Sequence, residues 1–111
     1  MKIFKAIITA GLILTASNAM AEGNITHKRF ETCKGLEALS RTIMSGRQTG
    51  VSLEKMSTAI KNSSISETTK QCVFDLVIEA YEKPKFDFEE NQEKVINEFA
   101  NKIFLKCIQR K

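Results

Sequence analysis

The residues of this chain best suited to covalent chemistry are its three cysteines, Cys33, Cys72 and Cys107. No two of them form a Cys-x-x-Cys pair and His27 is the sole histidine, so the close-spaced ligand pairs that build a zinc site are missing. A Cys-His nucleophile pair would also need a third group to orient the imidazole, and His27 falls at the threshold of the first helical segment, where it reads as an exposed surface residue. Glu89 with Glu93, and Glu79 with Glu82, share helix faces and offer acid-base pairs in principle. They stand at a helix start and along a polar strip, with no apolar flank to raise a pKa. Solubility is sufficient reason for them. No catalytic residue, metal or cofactor is expected, and the chain reads as a non-enzyme whose cysteines are suited to disulfide formation. A domain this short is also expected to leave little room for a ligand pocket.

Arg47 and Gln48 are the more informative polar pair. On a helical wheel Arg47 falls near the middle of an apolar half made by Phe30, Cys33, Leu36, Leu39, Ile43 and Met44. A guanidinium there must reach past the helix end, pair with a carboxylate such as Glu79 or Glu82, or meet a partner. Tyr81 has the same double character, with a ring for the core and a hydroxyl for the rim. Together with Arg41 on the polar half of the first helix, these residues make the partner-binding candidates: Arg41, Arg47, Gln48 and Tyr81. Tyr81, Phe86 and Phe88 surround Pro84 and are expected to form a packed corner rather than a ligand groove.

Four helical segments must position these residues. The first runs to about Gln48, opened by the Thr26 hydroxyl and closed by Gly50 in the left-handed conformation. Ser52 caps a short second helix over 53–61, and Ser66 with Glu67 opens a third over 67–82. The third is apolar over most of its circumference and is expected to be surrounded by the others. Pro84 stops it. Asp87 and Glu90 resemble a capping box for a fourth helix, whose expected inner face is Phe88, Val95, Ile96, Phe99, Ala100, Ile103 and Cys107, with Leu105 pointing away. No strand-like alternation or internal repeat is present. The fold class expected is all-α, a small, mainly four-helix bundle in up-down-up-down order. That order brings all three cysteines to one pole, where Cys33 with Cys107 and Cys72 with Cys107 are both open pairings.

Residues 1–21 carry a different signal. Lys2 and Lys5 precede an uncharged, mostly apolar run over 6–16, and small residues follow through Ala19 and Ala21, the pattern of a cleavable signal peptide. The run is short for a transmembrane helix, which needs roughly 20 apolar residues, so no stable membrane span is expected after cleavage. The remaining residues, 22–111, form a single helical domain. Losing Lys2 and Lys5 takes the 17 basic residues to 15 against 13 acidic ones, a nearly balanced surface. The lysines are dispersed among carboxylates, and nucleic acid is not an expected partner because no basic stripe with interleaved aromatics is present. Export permits disulfides, and three cysteines cannot all pair internally. One thiol is left for the core, for solvent, or for a homodimer through a second copy.

The run Cys33, Leu36, Leu39, Arg41-Thr42-Ile43-Met44 and Arg47-Gln48-Thr49-Gly50-Val51-Ser52-Leu53, followed by Ala80-Tyr81-Glu82-x-Pro84-x-Phe86, Phe99-Ala100-Asn101 and Cys107, resembles a group of small uncharacterised exported proteins of proteobacteria and their phages or prophages. The resemblance covers nearly all of 22–111 and brings no established activity. It implies a two-cysteine pattern at Cys33 and Cys107, hence that disulfide, and leaves Cys72 as the free thiol outside the pattern. The functional expectation is a periplasmic, non-catalytic protein that binds another periplasmic or envelope protein as an inhibitor or exclusion factor. A stress chaperone that conditionally exposes apolar helix faces is the alternative, and secretion beyond the outer membrane stays open.

Overall fold

The computed structural model describes residues 26–110; the expected signal peptide over 1–21 lies outside them. The chain divides into two compact units, Met1–Thr32 and Cys33–Lys111. In the first, the described part is the capped start of a helix, where the Thr26 hydroxyl accepts the Arg29 amide at 3.0 Å, as a Ser or Thr N-cap does.

Four helices make up the described fold: α1 His27–Gln48, α2 Leu53–Lys61, α3 Glu67–Tyr81 and α4 Glu89–Gln109. Among the described residues there is no strand. Within Cys33–Lys111 every helix contributes to one core, with Ile43 and Met44 from α1, Ile60 from α2, Val73, Leu76, Val77 and Ala80 from α3, and Phe99 and Ile103 from α4. The protein is an all-α, mainly four-helix bundle with one disulfide, Cys33–Cys107.

Local chemistry sets the boundaries. α1 ends in a Schellman motif: Gly50 takes φ +96°, its amide donates to the Arg47 carbonyl at 3.2 Å, and the Val51 amide donates to the Gly46 carbonyl at 2.9 Å. These are the two bonds that satisfy orphan carbonyls at such an end. Ser52 caps α2 by accepting the Lys55 amide at 3.0 Å, and Ser66 caps α3 by accepting the Thr69 amide at 3.2 Å.

Three expectations need correction. The capping box at Asp87 does not form: Phe88 is the N-cap of α4 and no side chain caps it, because the helix starts one residue later than that box requires. Phe88 is not on the inner face but 71% exposed, since an N-cap residue has left the helical geometry that would turn it inward. Finally, α3 is not enclosed all round, with Cys72 exposed and Ile78 54% exposed. α2, which packs on α3, is only nine residues long, about 14 Å at 1.5 Å per residue, and cannot cover the 15-residue α3 along its length. Leu105 points outward as expected, at 51% exposed.

Candidate binding surface at the corner after α3

Pro84 stops the helix: the Glu82 and Lys83 amides still bond back to α3 carbonyls, but the Lys83 and Pro84 carbonyls and the Phe86 amide lie beyond the ladder without helical partners. The end of α1 supplies them. Arg47 donates from both Nε and Nη2 to the Lys83 carbonyl, at 3.1 and 3.0 Å, placing a cation at the negative end of the α3 dipole. Its guanidinium also lies 5.2 Å from the centroid of the Tyr81 ring, within cation-π range. The Tyr81 hydroxyl donates to the Val51 carbonyl at 2.6 Å. Burial pushes the Tyr81 phenol above its ordinary pKa, and the Arg47 charge pulls the other way.

Gln48 is 1% exposed, and its carboxamide pairs with the corner as a neighbouring peptide group would. Nε2 donates to the Pro84 carbonyl at 2.9 Å while Oε1 accepts the Phe86 amide at 2.8 Å. From α4, Gln92 Nε2 donates to the Phe86 carbonyl at 2.7 Å. Both backbone polar groups of Phe86 are therefore held by side chains from different helices.

Of the roles open to Arg47, the corner shows reach past the helix end to a backbone carbonyl. Arg47 takes neither carboxylate offered to it. Glu79 is held instead by Lys102 at 2.8 Å, with Lys106 at 3.9 Å. The hydrogen bond from Lys102 holds the Glu79 carboxyl below its ordinary pKa; partial burial opposes this, and the charges of Lys102, Lys106 and Lys83 reinforce it. Gln48, completely enclosed, has no surface to offer a partner directly. Its part is to hold the corner. Arg41 lies elsewhere: it pairs with Glu37 within α1 at 2.8 Å and donates to the Asn97 side chain on α4. The structure thus brings Arg47, Gln48 and Tyr81 together and leaves Arg41 apart.

The outer side of the same corner is concave. Two adjoining surface cavities, about 320 and 380 Å³, share Phe86, Val95 and Glu98. Lys83, Pro84, Phe99 and Lys102 complete one, Asn91 and Lys94 the other. Phe86 and Pro84 therefore line a groove, where the sequence suggested only a packed corner and little room. Sequence reasoning did not single out Val95, Lys94 or Glu98 as site residues. Their i, i+3 and i+4 spacing along α4 marks only a helix flank, and what faces that flank comes from across the corner.

At the opposite pole Cys33 and Cys107 are bonded with Cα atoms 5.6 Å apart, inside the usual disulfide range. Cys72 is free and exposed. It lines a cavity of about 180 Å³ with Leu36, Leu76, Ile103 and Cys107, so the three cysteines do share one pole. Among the described residues no group of three or more His, Cys, Asp or Glu side chains could hold a metal ion, and no helix is long and apolar enough to cross a membrane. No known protein family matches the chain, and neither a curated protein nor a solved structure does.

Proposed function

We propose that this is a small exported, non-catalytic protein that binds another periplasmic or envelope protein, as an inhibitor or exclusion factor, through the corner at residues 82–88. The observation that carries the proposal is the Phe88 ring, 71% exposed, two residues after a backbone unit that Gln48 and Gln92 hold on both sides. A large exposed aromatic on a braced backbone loses little freedom when it docks, the property of an interface anchor. Arg47, Gln48 and Tyr81 serve this reading from behind the surface by fixing the corner.

The test is capture from a periplasmic extract with purified protein, its stoichiometric partner identified by mass spectrometry, then repeated with Phe88→Ser and Arg47→Ala. Phe88→Ser is expected to abolish capture with the melting temperature at or above the parent's, since Ser is a preferred N-cap; Arg47→Ala is expected to lower both. If both variants retain every detected interaction, the proposal is abandoned. Broad client capture appearing only at acid pH, together with new dye-accessible apolar surface, would replace it with the chaperone reading.

A further inference from the structure

The groove beside the corner has a composition that selects its occupant. Its floor is apolar, made by Pro84, Phe86, Val95 and Phe99, and its edges carry Lys83, Lys94 and Lys102 against a single carboxylate, Glu98. Lys102 is ion-paired with Glu79; Lys83 acts on Glu79 only through its charge, so Lys83 and Lys94 are the two groove cations outside an ion pair. Lys94 stands one helical turn before Glu98 yet forms no ion pair with it within 4.0 Å. The two cations flank the shared wall of Phe86, Val95 and Glu98 from different elements, Lys83 from the corner and Lys94 from α4, so acidic groups of a ligand gain by seating at the two lysine edges, away from Glu98.

A ligand complementary to this arrangement has an apolar side chain for the floor and carboxylates on both sides of it. Inorganic phosphate would leave the floor unfilled. A basic segment would set its charges against Lys83 and Lys94, and like-charge juxtaposition across an interface is strongly unfavourable. From this charge pattern we infer that the groove takes an acidic segment of a partner protein, one that seats a Leu- or Phe-sized side chain on Phe86 and Val95 and pairs its acidic residues with Lys83 and Lys94. The inference rests on the proposed binding function and names the chemistry of the partner.

The experiment uses fluorescein-labelled hexapeptides, Glu-Asp-Leu-Phe-Glu-Glu, its basic counterpart Lys-Lys-Leu-Phe-Lys-Lys, and Glu-Asp-Ser-Ser-Glu-Glu, with binding followed by anisotropy and by amide shift changes in the labelled full-length protein. The acidic-apolar peptide is expected to bind, to weaken as salt rises, and to shift the amides of Lys83, Lys85, Phe86 and residues 94–99. Both other peptides are expected to bind at least about tenfold more weakly. Lys83→Glu/Lys94→Glu, folded as judged by circular dichroism, is expected to reverse the charge preference and favour the basic peptide.

Equal binding of all three peptides, shifts clustered elsewhere, or an unchanged preference in the double variant would overturn the inference. So would tight binding to anionic phosphatidylglycerol vesicles that outcompetes the acidic peptide, which would make the groove a lipid contact. Failure of the peptides while Phe88-dependent capture of a protein partner persists would reject the groove's role and leave the proposed function standing. Loss of both would reject both.

Discussion

Replacing Gln48 tests the logic of the corner most directly. Its carboxamide makes one bond to the Pro84 carbonyl and one to the Phe86 amide, at 2.9 and 2.8 Å, and the side chain is 1% exposed. Gln48→Leu keeps the bulk and removes both polar partners. Leaving a buried donor or acceptor unsatisfied costs about 1–3 kcal/mol each, and both corner groups are only partly buried, so the lower half of that range applies. The sum is about 2–4 kcal/mol. In a domain of this size each kcal/mol moves the melting temperature by about 4–8 °C, so a fall of roughly 10–30 °C is expected. Native-state hydrogen exchange should show the Phe86 amide losing protection more than amides in the core of α3.

Gln48→Glu sharpens the test. It keeps the acceptor for the Phe86 amide but aims a carboxylate oxygen at the Pro84 carbonyl, so the folded state favours the protonated form and raises the pKa of the new side chain. A raised folded pKa gives stability that is present below the unfolded value of about 4.3 and lost as pH rises through the folded one. The variant should therefore regain stability on acidification relative to the parent. If Gln48→Leu stays within about 0.5 kcal/mol of the parent with the Phe86 amide still protected, as an ordinary surface substitution would, the account of a side-chain-held corner is refuted.

The Cys33–Cys107 bridge closes a separation of 74 residues, worth about 4 kcal/mol on chain-entropy grounds. Urea unfolding of Cys33→Ser should show a loss of that order, while iodoacetamide should label one thiol, Cys72, in the unreduced protein. The Glu79 pKa is held below the ordinary carboxylate value, chiefly through its hydrogen bond from Lys102. A depressed folded pKa gives stability that is present above the unfolded value and lost as pH falls through the folded one. Glu79→Gln should flatten the stability profile below about pH 4.5, with a small, salt-screened effect because Lys102 is 49% exposed. Gly50 holds φ +96°, so Gly50→Ala should cost about 1–2 kcal/mol by urea unfolding and Gly50→Asn less; equal stability of Gly50→Ala would mean that the end of α1 can be rebuilt without the left-handed residue.

What could be read from the sequence is what adjacent residues decide among themselves. Thr26, Ser52 and Ser66 each cap by reaching an amide three positions on, Gly50 and Val51 close α1 through bonds to carbonyls three and five positions back respectively, and the apolar spacing marks the helices before any tertiary contact exists. Ser40, fully buried, bonds back to the Leu36 carbonyl at 2.9 Å, yet nothing in its residue type announces burial. Arg47 could be recognised as out of place, but not what it would hold, because a backbone carbonyl 36 positions away has no signature in residue type. Topology left the cysteine pairing open among positions at one pole and the resemblance implied Cys33 with Cys107, the pair that the assembled helices join. Phe88 turned outward because α4 begins one residue later than its capping pattern suggested. The groove has the same origin: Lys83 and Pro84 on one side, Lys94 and Val95 on the other, become one surface only when the end of α3 folds back along α4. Short-range hydrogen bonds and periodicity are properties of the local chain, whereas the corner and its groove depend on where helix ends meet.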